Sequence, residues 1–550
     1  MPGKRSTAAH RRRKPAAIIR RRWPRRLLIA ANVMVALTLV SVGLVYGYVR
    51  YRLDAIHTVP VKTLTPSGKV TANGLPPENV LLIGNQSRAC LTSQAQIAQF
   101  GNPALLSGSL SDVIMVMHLD PKSRTGSVLS IPRDLFEAMP PGTPSGPYEK
   151  IDSALNDGAN GPANLITAIQ DDLGIPINHY VEVNFCGFEQ TVNALGGIKM
   201  DFPEPLYDLE AQLNITQTGC QLINGATALA LVRSRHLQYD PPGVTTTDRA
   251  QWPSDPESDL ARITRDHTFL RVLINTAQSQ GLYDPLKLNS FLSAVTNQVT
   301  MDPGLRDQLI SLAATYRHVA ASNLAETTLP VTTYANYVYD GYQLGDVDFA
   351  VQPQDDQAIQ AWDPQALPAP VAPTAVEVFN AVGGANLAAD TGSALRANGL
   401  NVTTVSDAPV LGRPSETLIR YSPGQLAQAV AVMSNFTGAV TLQADSQVPA
   451  GQVRVDVGTT ESVIPPAAAP TTPSTSSTGG GAVTSPTTGS QSTGSQSTGS
   501  QPTGSQSSGS GPSSTTGPTA SSTTTTVPTV GGAAPSARND HLTPYDPRPC

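Results

Sequence analysis

The apolar positions of this chain begin with an uninterrupted run, Leu27 to Val49, that contains no charged residue. Those 23 residues, at about 1.5 Å of helical rise each, match a hydrocarbon layer of roughly 30 Å. Tyr46, Tyr48 and Tyr51, with Arg50 and Arg52, close the run as an interfacial belt. A cleaved signal peptide would have a shorter apolar core and a small-residue cut site. The run therefore reads as an uncleaved transmembrane helix.

Residues 53–76 read as a linker, with Pro60, Pro66 and Gly68 among polar positions. From 77 to 360 the pattern is that of a globular domain. Val80 to Ile83 is an apolar run stopped by Gly84, and Val113–Leu119 and Val128–Ile131 are two more. Tyr180 to Phe185 alternates. Short β-branched runs of this kind predict strands, the continuous ones buried on both faces. Helical periods lie between them. Pro162 starts one that carries Leu165, Ile166, Ile169 and Leu173, and Gly174 stops it. Phe188, Val192 and Leu195 mark another. Ser258 and Asp259 cap a third, with Leu260, Ile263, Leu270 and Ile274 on its apolar face and Arg262, Arg265 and Asp266 on the other. Two further helices are expected around 286–298 and 304–321. Strands alternating with helices predict an α/β class, a sandwich around a central mixed sheet.

A Pro/Ala linker follows at Pro364–Pro373, then a second, small α/β domain at 374–458. Its expected strands are Ala375–Phe379, Val402–Val405, Thr417–Tyr421, Val440–Leu442 and Val453–Val457, with helices at Leu387–Ala397 and Gln425–Met433. From 459 to 550 the composition falls to Ser, Thr, Gly and Pro, with Thr-Gly-Ser-Gln-Ser repeated around 488–508. Such a segment buries too little apolar surface to fold and is expected to be a disordered tail.

Charge fixes the expected orientation. Residues 1–26 form an arm with eleven basic residues and no acidic one. A basic flank stays cytoplasmic, so the bulk of the chain is expected outside, anchored in the cell membrane by a single pass. The rest of the chain then holds 25 basic residues against 42 acidic ones, a net charge of −17. That exterior is a poor surface for nucleic acid, and the arm is read as a topology and lipid-contact signal. Outside the membrane the four cysteines can form disulfides. Spacing does not fix their connectivity, and Cys186 with Cys220 is the expected pair, since both lie beside structured segments.

No Walker loop, nucleophile elbow or HExxH occurs. The strongest chemical signal is a set of arginines beside acidic residues. Ser130-Ile131-Pro132-Arg133-Asp134 follows a strand, Val232-Arg233-Ser234-Arg235-His236 ends a helix, and Ser258-Asp259-Leu260-Ala261-Arg262 opens one. Arg88 and Asp112 lie at strand ends. Taken singly, each arginine has the plain reading of a surface ion pair. Converging, they suit a pyrophosphate, because guanidinium groups fork onto phosphate oxygens and stabilise the charge of phosphoryl transfer.

These segments also resemble a known family. LLIGNQSR (81–88), LSDVIMVMHLD (110–120), VLSIPRDLF (128–136), EKIDSAL (149–155), LINGATALALVRSRH (222–236) and ESDLARITRDH (257–267) occur in the order seen in the LytR-CpsA-Psr family. Residues 374–458 resemble the LytR C-terminal domain found behind it in actinobacteria. The resemblance implies an α/β/α sandwich with a hydrophobic prenyl pocket and an enzyme outside the cytoplasm. That enzyme would move a glycopolymer from a polyprenyl-pyrophosphate carrier to peptidoglycan, leaving a phosphodiester link. By position it implies that Arg88, Arg133, Arg233, Arg235 and Arg262 bind the pyrophosphate. Asp112 would hold Mg²⁺, and Asp134 and Asp259 would orient arginines. Asp112, Arg133 and Arg262 are the expected catalytic residues. Asp112, Asp134 or the substrate phosphate would serve as base.

Two departures stand out. Gln86 occupies the place of the family's first aspartate, which removes one negative metal ligand and weakens the expected Mg²⁺ site. The stretch between Arg235 and Arg262 is longer than in the family pattern and could cover the site. Val113, Met115, Met117, Val183 and Phe185 fit a lipid pocket or ordinary core packing equally well. The alternatives left open are a non-catalytic wall-binding or scaffolding homologue, a membrane-bound transcriptional attenuator, and a lipid pyrophosphatase.

Overall fold

The computed structural model describes residues 23–69, 75–88, 90–91, 94, 97, 101–102, 108–240, 248–256, 258–279, 285–317, 319–406, 416–459, 461–465 and 542–550. The basic arm to Arg22, the middle of the Arg235–Arg262 stretch and the repeat region of the tail lie outside them.

Helix α1, Trp23–Leu53, contains the apolar run and extends past both of its ends. It is long and apolar enough to cross a membrane, and its most apolar stretch has no buried residue. Its last turns differ. Leu53 is buried, Arg50 pairs with Asp307 at 3.4 Å, and Arg52 donates to Ser293. The described part of the expected linker is pinned as well: Ile56 is buried, β1 (His57–Thr58) joins the central sheet, and the Thr65 amide donates to the Ile177 carbonyl.

The other strands of that sheet are β2 (Glu78–Asn85), β3 (Ser111–Asp120), β4 (Thr125–Ser130), β5 (His179–Asn184), β6 (Val299–Met301) and β7 (Leu324–Thr328). Their spatial order is β1-β6-β5-β2-β3-β4-β7. The pairs β1/β6, β2/β5 and β4/β7 are parallel and the rest antiparallel, so the sheet is mixed. Gly84 does not stop β2. It continues the strand where a β-carbon would lie 3.1 Å from that of Val113, so a larger residue would press on Val113.

Side-chain alternation divides the sheet. Leu81, Ile83, Ile114, Val116 and Leu129 pack against Leu165, Ile166 and Ile169 of α2 (Gly161–Asp172) and against Ile359 and Trp362 near the chain's second linker. The opposite face carries α3 (Phe185–Ala194), α4 (Gly225–Arg233), α5 (Ser258–Ser279), α6 (Pro285–Gln298) and α7 (Pro303–Tyr316). Asn184 and Asn224 cap α3 and α4, accepting from the amides of Gly187 and Thr227. This is the expected α/β/α sandwich.

Helix α5 buries its charged face as well as its apolar one. Arg262, Arg265, Asp266 and His267 are buried together with Ile263. The charged stripe turns inward because partners wait there: Arg265 meets Asp255 at 2.8 Å and the Ser234 carbonyl at 2.8 Å.

The second domain continues a sheet begun in the first. The hairpin Val331–Tyr339/Tyr342–Gln352 pairs through Val351 and Gln352 with Ala439 and Gly438 of strand Phe436–Ala444. Strands Thr417–Tyr421, Gln452–Val457, Ala375–Asn380 and Val402–Ser406 follow in space. Helices Leu387–Ala397 and Leu426–Met433 cover them. Ala366 and Leu367 of the Pro/Ala linker are buried in the first domain's core.

The disulfides are Cys90–Cys186 and Cys220–Cys550, so the expected Cys186–Cys220 pair is incorrect. Cys220 lies in strand Gly219–Ile223, beside Ile198–Phe202. The other edge of Ile198–Phe202 receives Arg548–Pro549, which brings the Cys550 Cα within 5.7 Å of that of Cys220. The last nine residues thus depart from the tail reading. They pack on the first domain, with Tyr545 stacked on Tyr239 at 3.8 Å and Asp546 paired with Arg265 at 3.4 Å.

Candidate active site

Strand ends and helix ends bring the predicted charges into one belt. Arg133, just past β4, donates to Asp112 at the start of β3 at 2.6 Å, and its Nε lies 3.6 Å from Asp134. Asp134 also accepts from Arg235 at 3.0 Å. Arg235 reaches Asp259 at 3.0 Å, and Asp259 pairs with Arg262 at 3.1 Å within the first turns of α5. The order is Asp112, Arg133, Asp134, Arg235, Asp259, Arg262, with signs alternating. The Arg235 side chain, 30% exposed, is the member most open to solvent, and that of Arg262, 3% exposed, is the most buried. Arg233 stacks over the Phe185 ring at 4.4 Å, and Arg88 lies 5.7 Å from the same ring on a guanidinium-over-aromatic contact. All eight predicted site residues therefore gather around one end of the sheet.

Two members of the site were not singled out from the sequence. Lys150 donates to Asp134 at 2.9 Å, and Asp152 is buried near Arg133. Both lie in the EKIDSAL segment, but strand Tyr148–Lys150 and the turn after it reach the belt only through tertiary pairing with Phe136–Ala138.

The electrostatics follow the geometry. Burial works against the Arg133 cation, but Asp112 and Asp134 outweigh it and raise its pKa. Asp134 also overcomes its burial: Arg133, Lys150 and Arg235 hold its pKa below the ordinary value. Arg233 is lowered by burial, with Arg88 adding to the fall and Asp112 opposing it. Asp152 goes the other way, pushed up to about 7 by burial despite Arg133. An anion entering here would relieve the repulsion between Arg88 and Arg233 and would meet donors already fixed in place.

The belt opens onto an apolar cavity of about 540 Å³. Asp112 and Arg233 stand on its lining, with Leu82, Val113, Met115, Val181 and Val183 of the sheet and Phe185, Phe188, Phe269, Leu270, Leu273, Phe291 and Leu309 of the helices. Four of the five residues read as lipid-pocket or core positions line it; Met117, further along β3, does not. Val49 and Leu53 of α1 line it too, so the cavity runs from the belt to the end of the apolar helix.

A divalent cation has a thin donor set. Among the described residues no group of three His, Cys, Asp or Glu side chains is arranged to hold a metal. Asp112 offers a carboxylate at the cavity, already in contact with Arg133. Gln86, at the missing aspartate's place, ties its backbone amide to the Leu110 carbonyl. A Mg²⁺ bound at Asp112 would need substrate phosphates and water to complete its shell.

Comparison with known proteins matches residues 55–352 to the LytR_cpsA_psr family and residues 374–460 to a domain described as LytR cell envelope-related transcriptional attenuator. A probable cell wall biosynthesis protein, LcpB of Corynebacterium glutamicum, is 29% identical over 57% of this chain and 67% of its own length. LcpA of the same organism, a cell wall biosynthesis protein, is 26% identical over 46% of this chain and 50% of its own length. The Bacillus subtilis polyisoprenyl-teichoic acid–peptidoglycan teichoic acid transferase TagV is 31% identical over 31% and 39%. The chain thus spans about half or less of the length of the last two. A solved LytR-Csp2A-Psr enzyme from Actinomyces oris aligns with 55% of this chain and 96% of its own, at 21% identity and a TM-score of 0.39.

Proposed function

The chain belongs to the LytR-CpsA-Psr family, and from that membership we propose that it attaches a glycopolymer, carried on polyprenyl pyrophosphate, to peptidoglycan through a phosphodiester. The observation that carries this reading is the junction of the ionic belt with the apolar cavity. A prenyl pyrophosphate has the same two-part character, and the cavity begins beside the end of the membrane-type helix, where a lipid carrier would be. The bulk of the chain is proposed to lie outside the cytoplasm, with α1 as the anchor and the basic arm inside. Similar proteins named as teichoic acid transferases support a transfer reaction of this class.

In this reading Arg133, Arg233, Arg235 and Arg262, with Arg88 at the rim, grip the pyrophosphate. A wall-glycan hydroxyl attacks the glycan-side phosphorus and the prenyl phosphate leaves. Charge grows on the phosphoryl oxygens in the transition state, and donors preset by Asp134 and Asp259 need little reorganisation to meet it. Mg²⁺, held by Asp112, would neutralise phosphate charge when bound.

The test is transfer of glycan from a polyprenyl-pyrophosphate donor to peptidoglycan by the full chain in liposomes, with and without Mg²⁺. Arg133→Ala and Arg262→Ala are each expected to lower transfer by about 10²-fold or more. Equal rates in wild type and both variants would sink the assignment. Donor binding with no transfer product would favour a wall-binding role.

A further inference from the structure

Helix α5 changes character along one side. Asp259 and Arg262 belong to the ionic belt, while Phe269, Leu270 and Leu273 line the apolar cavity. Asp266 stands between them, one turn past Arg262 and one turn before Leu270, and it is itself on the lining. It is 5% exposed, and neither of its carboxyl oxygens has a hydrogen-bond partner. No ion pair reaches it among the described residues. Its neighbours are all engaged elsewhere: Arg262 with Asp259, Arg265 with Asp255 and Asp546, and His267 with Ser130. A carboxylate buried without hydrogen-bond donors carries a desolvation cost that the cations on its own helix offset only in part. The fold keeps it where a two-part ligand would turn from charged to apolar.

On the transferase reading, that turning point is the phosphate attached to the prenyl chain. Resting on that reading, we propose that Asp266 is a further catalytic residue, the proton donor to the departing prenyl phosphate. The acceptor oxygen bonds to the glycan-side phosphorus, and the bond from that phosphorus to the bridging oxygen breaks. The electron pair stays on the bridging oxygen, which takes the proton of Asp266. The proton of the acceptor hydroxyl goes to solvent, and Asp266 regains one from the same source, so atoms and charge balance over a turnover.

The groups facing Asp266 support a carboxyl that is protonated below neutrality. Burial pushes its pKa up to about 7, and Asp259 adds to the rise. Arg262, Arg265 and His267, on its own helix, pull it down. Asp112 of β3 and Arg233 of α4 line the same cavity, and Glu326 of β7 lies 3.9 Å from His267. A proton donor of pKa near 7 loses its proton as pH rises, so transfer should fall on the alkaline side.

Asp266→Asn in the full chain tests this. The variant is expected to lower kcat by about 10²-fold, with KM within a few-fold, and to lose the alkaline fall in kcat between pH 6.5 and 8.5 that wild type shows. If wild type transfers and Asp266→Asn keeps both its rate and its alkaline fall, the assignment is overturned while the transferase reading stands. If wild type transfers at no pH, both fail. Should the variant not fold, binding of farnesyl methyl phosphate to wild type decides. The charge of that diester is constant over this range, so its affinity should drop about tenfold as Asp266 ionises beside it. Affinity independent of pH would overturn the proposal.

Discussion

Asp134 satisfies three cations at once: Lys150 at 2.9 Å, Arg235 at 3.0 Å and Arg133 at 3.6 Å. Its side chain is 11% exposed, so water replaces it poorly. The carboxylate is therefore an orienting group, keeping two of the proposed pyrophosphate ligands apart yet aimed at one place. Asp134→Asn keeps the shape and removes the charge. The donor's KM is expected to rise about tenfold as Arg133 and Arg235 repel, with a smaller change in kcat, measured in the same transfer assay. An equal loss in kcat and in kcat/KM, with KM unchanged, would instead place Asp134 in the chemistry, as the base.

At the level of elements, the regular periods were legible. The strands and helices expected in 374–458 recur as Ala375–Asn380, Leu387–Ala397, Val402–Ser406, Thr417–Tyr421, Leu426–Met433, Phe436–Ala444 and Gln452–Val457. Ala375–Asn380 alternates cleanly, and the other strands are short β-branched runs bounded by turn residues. Helix α5 and its apolar face were legible, but the burial of its charged stripe was not, because that stripe meets partners such as Asp255 that no local period announces. The arginine belt was legible as a set of motifs. Lys150, Asp152 and Asp266 needed the tertiary fold to reveal them, and so did the disulfides. The junction of the two domains was not legible either, since a Pro/Ala stretch gives no sign that its flanks share a sheet. That junction buries acids: burial pushes Glu137 up to about 8 against the hydrogen bond from Thr441, and Asp172 and Glu416 beside it are raised as well. A raised carboxyl stabilises the fold below its ordinary pKa of 4.5, and that contribution is lost as pH climbs through about 8. Glu137→Gln should melt like wild type near pH 4.5 and a few degrees higher at pH 8.5, read by calorimetry, with about 2–4 °C expected per kcal/mol. A gap of the same size at both pH values would refute the ionisation argument.

Over the whole molecule, two segments distant in sequence reach the surroundings of α5. Near one end α1 runs into the cavity lining through Val49 and Leu53. Near the other, residues 542–550 return across 281 positions to Arg265, on the same helix as Arg262 and Asp266. Arg265 in turn holds Asp255 and the Ser234 carbonyl, next to Arg235. The returning strap is thus one residue removed from the belt. Its hold has a covalent part, the Cys220–Cys550 bond, and a non-covalent one: a two-residue strand pairing, Tyr545 buried and stacked on Tyr239, and a buried Asp546 with one 3.4 Å ion pair. In a chain-entropy picture a disulfide closing a loop of about 100 residues contributes roughly 4–5 kcal/mol, and this one separates its cysteines by 330. The covalent part is the one that limits the freedom the strap would regain on opening. Cys220→Ser/Cys550→Ser should therefore speed amide exchange at 198–202 and 237–239 by tenfold or more, while Leu81–Ile83 in the central sheet keeps its protection. Unchanged exchange at 198–202 would mean that the strap's non-covalent contacts hold it without the bond. Acceleration that spreads to Leu81–Ile83 would mean that the bond supports the domain as a whole and not the strap in particular.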